Sequence, residues 1–522
     1  MKRILLAIVA AAVLYGGVSY AVQAPARTPA TIIAEIEALL AELKTSLATT
    51  DPTPTPPPPP TETCGADGYG DGIDNDGDGQ VDEGCAPRPP DGVRVVTTAA
   101  ELDAALLVGG TIKLEPGQYA GNFTVSVDGT TLLGVAGLPE TRVTPEHVAA
   151  VLLTPADPYK AVLSIQASRV RVEGLTAMPA RNDREVVLVG QLEATTSEAQ
   201  PDAVVIDRVA VLAGEAGGVR GISLHTRGVT VTRSHVAGFW YRYRDSQAIW
   251  INNGPGPYTI TDNYLEGSGE NIMVGGDAIR IPNVVPSDIL IARNTIYKPE
   301  SWRTLYGSVK NSVELKAGRR VTIEDNLIDG NWKDAQGGDT IVLTPRNPSG
   351  GCPWIVVEDV VIRRNVVTRA TQGYAVSILG TDNNHETQQT ARVTVEHNLF
   401  ADATGGFKIL VGVAGHLIVR RNTFPAIAGN WFLFSGITVK TPLTAQWNVA
   451  KSGAYGISGS TTVGEPSLLA ATEGAVFTDN VIEKYCCRTI KWPAGNTLLE
   501  PWALANVLTP VTFKHPDPLY GY

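Results

Sequence analysis

Hydrophobic and polar residues alternate in short bursts along the second half of the chain, and each burst closes on an asparagine. Val321 and Ile323 alternate with polar neighbours before Asn326, and Val393 and Val395 do the same before Asn398. A period of two belongs to a strand with one buried face, not to a helix. The frame recurs in YTITDN ending at Asn263, ILIARN at Asn294, VTIEDN at Asn326 and VVIRRN at Asn365. It continues in VTVEHN at Asn398, LIVRRN at Asn422, LTAQWN at Asn448 and AVFTDN at Asn480, with successive spacings of 31, 32, 39, 33, 24, 26 and 32 residues. One phrase at a drifting period of about 30 residues describes a stacked unit with insertions at its corners. A side-chain amide carries two donors and an acceptor, so stacked asparagines can bond one another and the backbone at a tight inward turn.

Over residues 93–485 this pattern resembles the right-handed parallel β-helix of pectate lyases, other polysaccharide lyases, some glycoside hydrolases and phage tailspikes. The resemblance implies an all-β solenoid and leaves function to be argued from the site. With 43% hydrophobic residues and 53 Gly, the chain can fill a core and turn tightly. About 13 coils at roughly 4.8 Å each would make a rod on the order of 60 Å long. From Val93 the sequence predicts a strand, a short helix over Ala99 to Leu107 that caps the open end of the core, and then the first coil. Residues 486–522 are expected to form a C-terminal cap.

Residues 1–24 read as a signal peptide or membrane anchor: a basic start at Lys2 and Arg3, an apolar run from Ile4 to Val22, and small residues around Ala24. A run of that length also just spans a bilayer, so both readings stand. Residues 25–50 predict a helical stalk in which Ile33, Ile36, Leu40, Leu43 and Leu47 form a heptad seam. That seam suits a homo-oligomer, or an apolar stripe lying on lipid or on the rod. Residues 51–63 are a Pro-Thr linker, stiff and extended.

The net charge of −11 argues against a nucleic-acid partner, which wants a basic face. Seven negative charges lie within residues 64–85, where there is no Lys or Arg, so the rest of the chain is near −4 (−11 less −7). In that segment Asp74, Asp76, Asp78, Gly79 and Asp82 form D-x-D-x-D-G-x-x-D. Carboxylates at alternate positions can wrap Ca²⁺, with Gly79 at the turn. Asp67 and Asp71 would form a second, poorer site. Without the cation the segment is an acidic, disordered linker. It resembles the calcium loops of thrombospondin type 3 repeats and departs from an EF-hand in having Cys85 at the twelfth position. Cys64 and Cys85 bracket the loop and are expected to pair in an exported protein. For Cys352, Cys486 and Cys487, the sequence leaves open a bridge from Cys352 to one of the others or a bond between the adjacent pair.

A second strand precedes each Asn phrase: GISLHT, AIWINN, AIRIPN, SVELKA, TIVLTP and AVSILG. Their alternation aligns Ile222, Ile249, Ile279, Val313, Ile341 and Val376 as inward positions. Trp250, Asn252, Arg280, Glu314 and Lys316 then fall on one outward patch, with His225 at its edge and Gln247, Asp277, Asn311 and Asp339 in a column beside it. An exposed Trp250 would offer a flat face to a sugar ring, and the cations would meet a uronate carboxylate. Asn252, His225 and Arg319 join Trp250 as candidate substrate-binding residues. A β-elimination needs a base and a stabilising cation. Lys316 is the candidate base, Glu314 its neighbour, and Arg280, Arg319 or Arg346 the stabilisers. Calcium on Asp277, Asn311, Asp339 and Glu314 would be an alternative stabiliser. Glu270, in the Gly-rich turn GSGENIMVGG, is a second-choice acid. The phrase SVELKAGRRVTIEDN is similar to the region around the catalytic Lys of alginate and chondroitin lyases of this fold. Its Glu and Lys spacing departs from theirs, so that likeness extends to Lys316 alone. Lys310 to Asn347 resembles more closely a group of exported bacterial β-helix proteins.

A plain structural role is the competing reading. Arg280 beside Glu314 would then be a surface pair worth about 0–1 kcal/mol, and Asp277, Asn311 and Asp339 would satisfy corner backbone. The expectation is an exported, surface-displayed β-helix that engages an acidic polysaccharide, by β-elimination if it is catalytic. The alternative is a non-catalytic adhesin or a structural spike.

Overall fold

The computed structural model describes residues 92–504, apart from Ala180, Asn182, Tyr243, residues 305–307, residues 333–337, Gln372 and residues 502–503. The signal or anchor, the stalk, the Pro-Thr linker and the end of the C-terminal segment lie outside the described residues. So does the acidic loop with Asp67, Asp71, Asp74, Asp76, Asp78 and Asp82.

Short apolar runs interrupted by turns every few residues cannot build long strands, so each coil uses three. The chain passes from a first sheet through the Asn turn to a second sheet, and then to a third. The first sheet has 14 strands, from Val93–Val96 to Thr472–Thr478. The second has 14, from Gly117–Ala120 to Thr497–Leu499, and the third has 12, from Phe123–Val125 to Gly456–Ser458. Every strand pairs in parallel with the equivalent strand of the next coil, which makes a right-handed parallel β-helix. The register is set by stacked inward residues. In the first sheet Val231, Ile260, Ile291, Ile323, Ile362 and Val395 lie directly over one another and are all buried. Towards the C-terminal end aromatic stacks take over, with Phe400 on Phe424 at 4.8 Å and Phe407 on Phe432 at 4.9 Å. The helix Ala99–Val108 begins with a capping box of Thr98 and Glu101 and buries Leu102, Ala105 and Leu106 in the core. It ends one residue later than the sequence predicts.

The asparagines form a continuous ladder at the turn between the first and second sheets. Each Nδ2 donates to the Oδ1 of the next, from Asn263 to Asn294 (3.1 Å) through to Asn448 and Asn480 (2.8 Å). One further rung, Asn480 to Asn496, extends it past the last repeated phrase. The residue before each of the eight repeated asparagines is in the left-handed region, as at Asp262, Arg293, Asp325 and Arg364 (φ 55–60°). Non-glycine residues there cost about 1–2 kcal/mol each. Cross-coil pairs tie those same residues together, Arg293 to Asp262 at 2.7 Å and Arg364 to Asp325 at 2.7 Å. The ladder inside and the ion pairs outside hold one turn geometry through the stack.

Candidate functional site

The third sheet carries the site. Its inward column reads Ile222, Ile249, Ile272, Val313, Ile341 and Val376. The strand beside Gln247–Ile251 is therefore Glu270–Val274, not the AIRIPN segment. Ile279 packs instead in a separate small cluster with Ala278, Val285, Ala317, Cys352, Ile355 and Val356. Two columns change as a result. Met273, not Arg280, stands between Trp250 and Glu314, and Glu270, not Asp277, stands between Gln247 and Asn311.

Several expected site residues are thereby placed elsewhere. Arg280 lies on the loop after the strand, its N–H donates to Asn253 Oδ1 at 2.9 Å, and its side chain pairs with Glu193 at 3.2 Å. Trp250 is buried rather than open to a sugar ring. The Arg220 guanidinium sits 3.9 Å from its ring centre, His225 packs edge-on at 5.1 Å, and its Nε1 donates to the Gly275 carbonyl at 2.8 Å. Asn252 and His225 are buried as well. Burial, then the Arg220 charge, pulls the His225 imidazole down to about 3, and its Nδ1 accepts from the Asn253 N–H. Arg319 belongs to the first sheet and pairs with Glu358 at 2.5 Å. Arg346 follows Lys316 by one coil, but its guanidinium turns to Asp382 at 2.7 Å and to Asn383. Nor do Asp277, Asn311, Asp339 and Glu314 form one ligand cluster among the described residues. Asp277 caps the Ala278 N–H, while Asp339 accepts from Lys408 and from the Tyr374 N–H.

Lys316 and Glu314 do come together, 3.6 Å apart, and Asn311 Nδ2 donates to Glu314 Oε2 at 3.0 Å. Lys316 enters a pocket of about 460 Å³ lined also by Asp183, Arg184, Glu185, Arg220, Arg244, Asp245, Gln247 and Met273. Gly276 makes room for it, since a Cβ there would stand 2.9 Å from Lys316 Cδ. Burial lowers the Lys316 ammonium, but Glu314, Glu270 and Asp245 outweigh it and hold the group above its usual value. Lys316 is thus kept charged, which opposes the role of free base expected for it.

Beneath the pocket runs a polar chain that crosses three coils. Arg220 Nε donates to Gln247 Oε1 at 3.0 Å, and Gln247 Nε2 donates to Glu270 Oε2 at 2.7 Å. Glu270 is on a strand rather than in a turn, and is fully buried. Burial, then Glu314, pushes its carboxyl up to about 8. Its Oε1 has no partner among the described residues. Behind it, burial draws Lys298 down to about 7, while its ammonium donates to the Gly267 and Ser268 carbonyls at 2.5 and 2.9 Å. Asp245, at the pocket wall, is held by Lys310 at 2.5 Å and by the Ser308 hydroxyl at 3.1 Å. Of these groups the sequence reading missed Arg220 as part of the site, although it sits two residues before Ile222, the offset that selected Gln247 and Asn311. Asp183, Arg184, Arg244 and Asp245 come from loops and carry no periodic signal.

Residues 220–424 match the family model described as right handed beta helix region. No curated protein matches the chain in sequence. Similar solved structures include a PL6 family alginate lyase, with a TM-score of 0.48 and 14% identity over 78% of this chain and 53% of that one. A mannuronic acid specific polysaccharide family 6 lyase from human gut microbiota has a TM-score of 0.45 and 12% identity over 80% and 93% of the two chains. PfbA, a surface adhesin of Streptococcus pneumoniae, has a TM-score of 0.43 and 15% identity over 68% and 86%. The chain spans about half the length of the first of these. At such identities the likeness is one of fold.

Proposed function

We propose that the third-sheet pocket receives an anionic segment of an acidic, uronate-bearing polysaccharide, and that the protein is an exported β-helix displayed at a cell surface for that purpose. The observation that carries this reading is the lining: Arg184, Arg220, Arg244 and Lys316 converge on one pocket of about 460 Å³. A volume in the range of roughly 300–1,000 Å³ is typical of small-ligand sites. Sugar carboxylates meeting these cations gain charge-assisted hydrogen bonds. Asp183, Glu185 and Asp245 supply acceptors for the hydroxyls of the same sugars. The stalk and linker read from residues 25–63 would hold such a site away from the membrane or wall.

A second reading, β-elimination at the same pocket, is favoured by the charged state of Lys316. A held cation beside a uronate carboxylate stabilises the enolate-like charge that forms when the neighbouring carbon loses its proton. In this scheme Lys316 stays charged against the uronate carboxylate, and one of the lining carboxylates takes the proton from the neighbouring carbon. The bond from the next carbon to the glycosidic oxygen breaks as the new double bond forms, and the departing sugar oxygen takes a proton back from that carboxyl or from water. The test pairs calorimetric binding of alginate, pectate and chondroitin fragments with ultraviolet detection of unsaturated uronate ends. Binding without new absorbance establishes a glycan-binding protein. Binding with absorbance that Lys316→Ala abolishes establishes a lyase. Absence of both across the panel refutes the pocket's assignment and leaves the structural spike as the better account.

A further inference from the structure

We infer that Arg220 is the residue that reads the carboxylate group of the bound saccharide, and so sets the preference for uronate over sugars that carry another anionic group; this rests on the pocket binding an acidic saccharide. The guanidinium is fixed on two sides by the protein. Below it lies the Trp250 ring, 3.9 Å away, and Nε is spent on Gln247 Oε1 at 3.0 Å. Gln247 cannot turn over, because Arg220 offers only donors and therefore requires the amide oxygen. The opposite end of that amide is committed to Glu270 Oε2 at 2.7 Å. The head group is therefore locked in position and orientation before any ligand arrives.

What remains free is the end of the fork. The two η nitrogens of Arg220 make no hydrogen bond or ion pair with any described residue, and Arg220 lines the pocket. Burial lowers its proton affinity, and Glu185, Asp277 and Glu270 act against that loss. A buried-edge guanidinium with two unused parallel donors fits a planar, two-oxygen anion end-on. Lys316 and its ammonium, by contrast, act as a point charge already shared with Glu314 at 3.6 Å. The two cations divide the work: Lys316 attracts any anion, and Arg220 selects a carboxylate by its geometry.

The experiment measures calorimetric affinities of the full chain for three tetrasaccharides: a uronate tetramer, the same tetramer with its carboxyls reduced to alcohols, and that reduced tetramer with sulfate esters as its only charged groups. The wild type is expected to favour the uronate over both others by about tenfold or more. Arg220→Lys keeps the charge and loses the fork, so the ratio of uronate to sulfate affinity should fall towards unity while the carboxyl-reduced tetramer stays the weakest ligand, with circular dichroism confirming that the variant is folded. Lys316→Gln should weaken both anionic ligands while leaving their ratio near that of the wild type. An unchanged ratio in Arg220→Lys, or equal wild-type affinity for sulfated and uronate tetramers, overturns the assignment of Arg220 alone. Failure of the wild type to bind any uronate overturns the pocket's function as well.

Discussion

Cutting one rung of the asparagine ladder tests what holds the solenoid together. Asn326 Oδ1 accepts from the Asn294 N–H at 2.9 Å and from Asn294 Nδ2 at 3.0 Å. Its Nδ2 donates to the Ile291 carbonyl and to Asn365 Oδ1, both at 2.9 Å. Asn326→Ala removes all four bonds. Asn294 Nδ2 keeps its bond to Ile260, and Asn365 Oδ1 keeps the Asn326 N–H. The Asn294 N–H, in a fully buried turn, loses its only side-chain acceptor. A buried group stripped of its partner costs about 1–3 kcal/mol, and the space left by the amide adds about 1 kcal/mol. The expected loss is about 2–4 kcal/mol. Asn496 is the natural control, because it ends the ladder and is partly exposed, so water can replace its amide. Asn496→Ala should cost less than about 1 kcal/mol. Urea unfolding followed by circular dichroism reads both as midpoint shifts, with the slope checking that the same surface unfolds in each variant. Equal shifts in the two variants, or none in Asn326→Ala, would show that the ladder is not what secures the turns.

Four further expectations follow from the same structure. Glu270 is held up to about 8 from an ordinary 4.5, so the folded chain keeps a proton that the unfolded chain releases between those values, and this group's contribution to stability falls as pH rises through that window. Glu270→Gln should flatten that part of the pH profile; Lys298, drawn down to about 7, works in the opposite sense above that pH, so the variant is compared with wild type at each pH. Gly276→Ala should displace Lys316 and weaken uronate binding in calorimetry, because the new Cβ meets Lys316 Cδ at 2.9 Å and the backbone there has φ +93°; unchanged affinity would show that Lys316 does not need that path. Cys352 is buried, with its Sγ on the Ile279 carbonyl at 3.3 Å, so under reducing conditions a maleimide should label the exposed Cys486 and Cys487 quickly and Cys352 only on unfolding. The acidic loop should bind Ca²⁺, and Asp76→Asn with Asp78→Asn should abolish that heat in calorimetry; retained binding would relocate the cation.

The fold was legible because its signal repeats. Each Asn phrase on its own is a six-residue strand and turn, but eight in one frame demand stacking, and the ladder follows from the amide's donors and acceptor. The site was only half legible, for a reason that lies in the geometry of solenoids. Insertions leave at the corners, so the distance along the chain between equivalent strands drifts, from Ile249 to Ile272 and then to Val313. Between those last two the chain makes a long excursion containing AIRIPN, whose alternation imitates a strand while Ile279 packs in its own cluster. Taking it as the rung brought Arg280 into the column and left Met273 out. Burial by neighbours is hidden for a related reason. Trp250 points outward from the sheet, as its register requires, yet it is covered by Arg220 from the coil before and bonded to Gly275 in the coil after. An outward side chain on a solenoid is exposed only if both flanking coils and their loops leave it so. That condition is non-local, and it also turns Trp250 from a sugar platform into the base on which Arg220 is mounted.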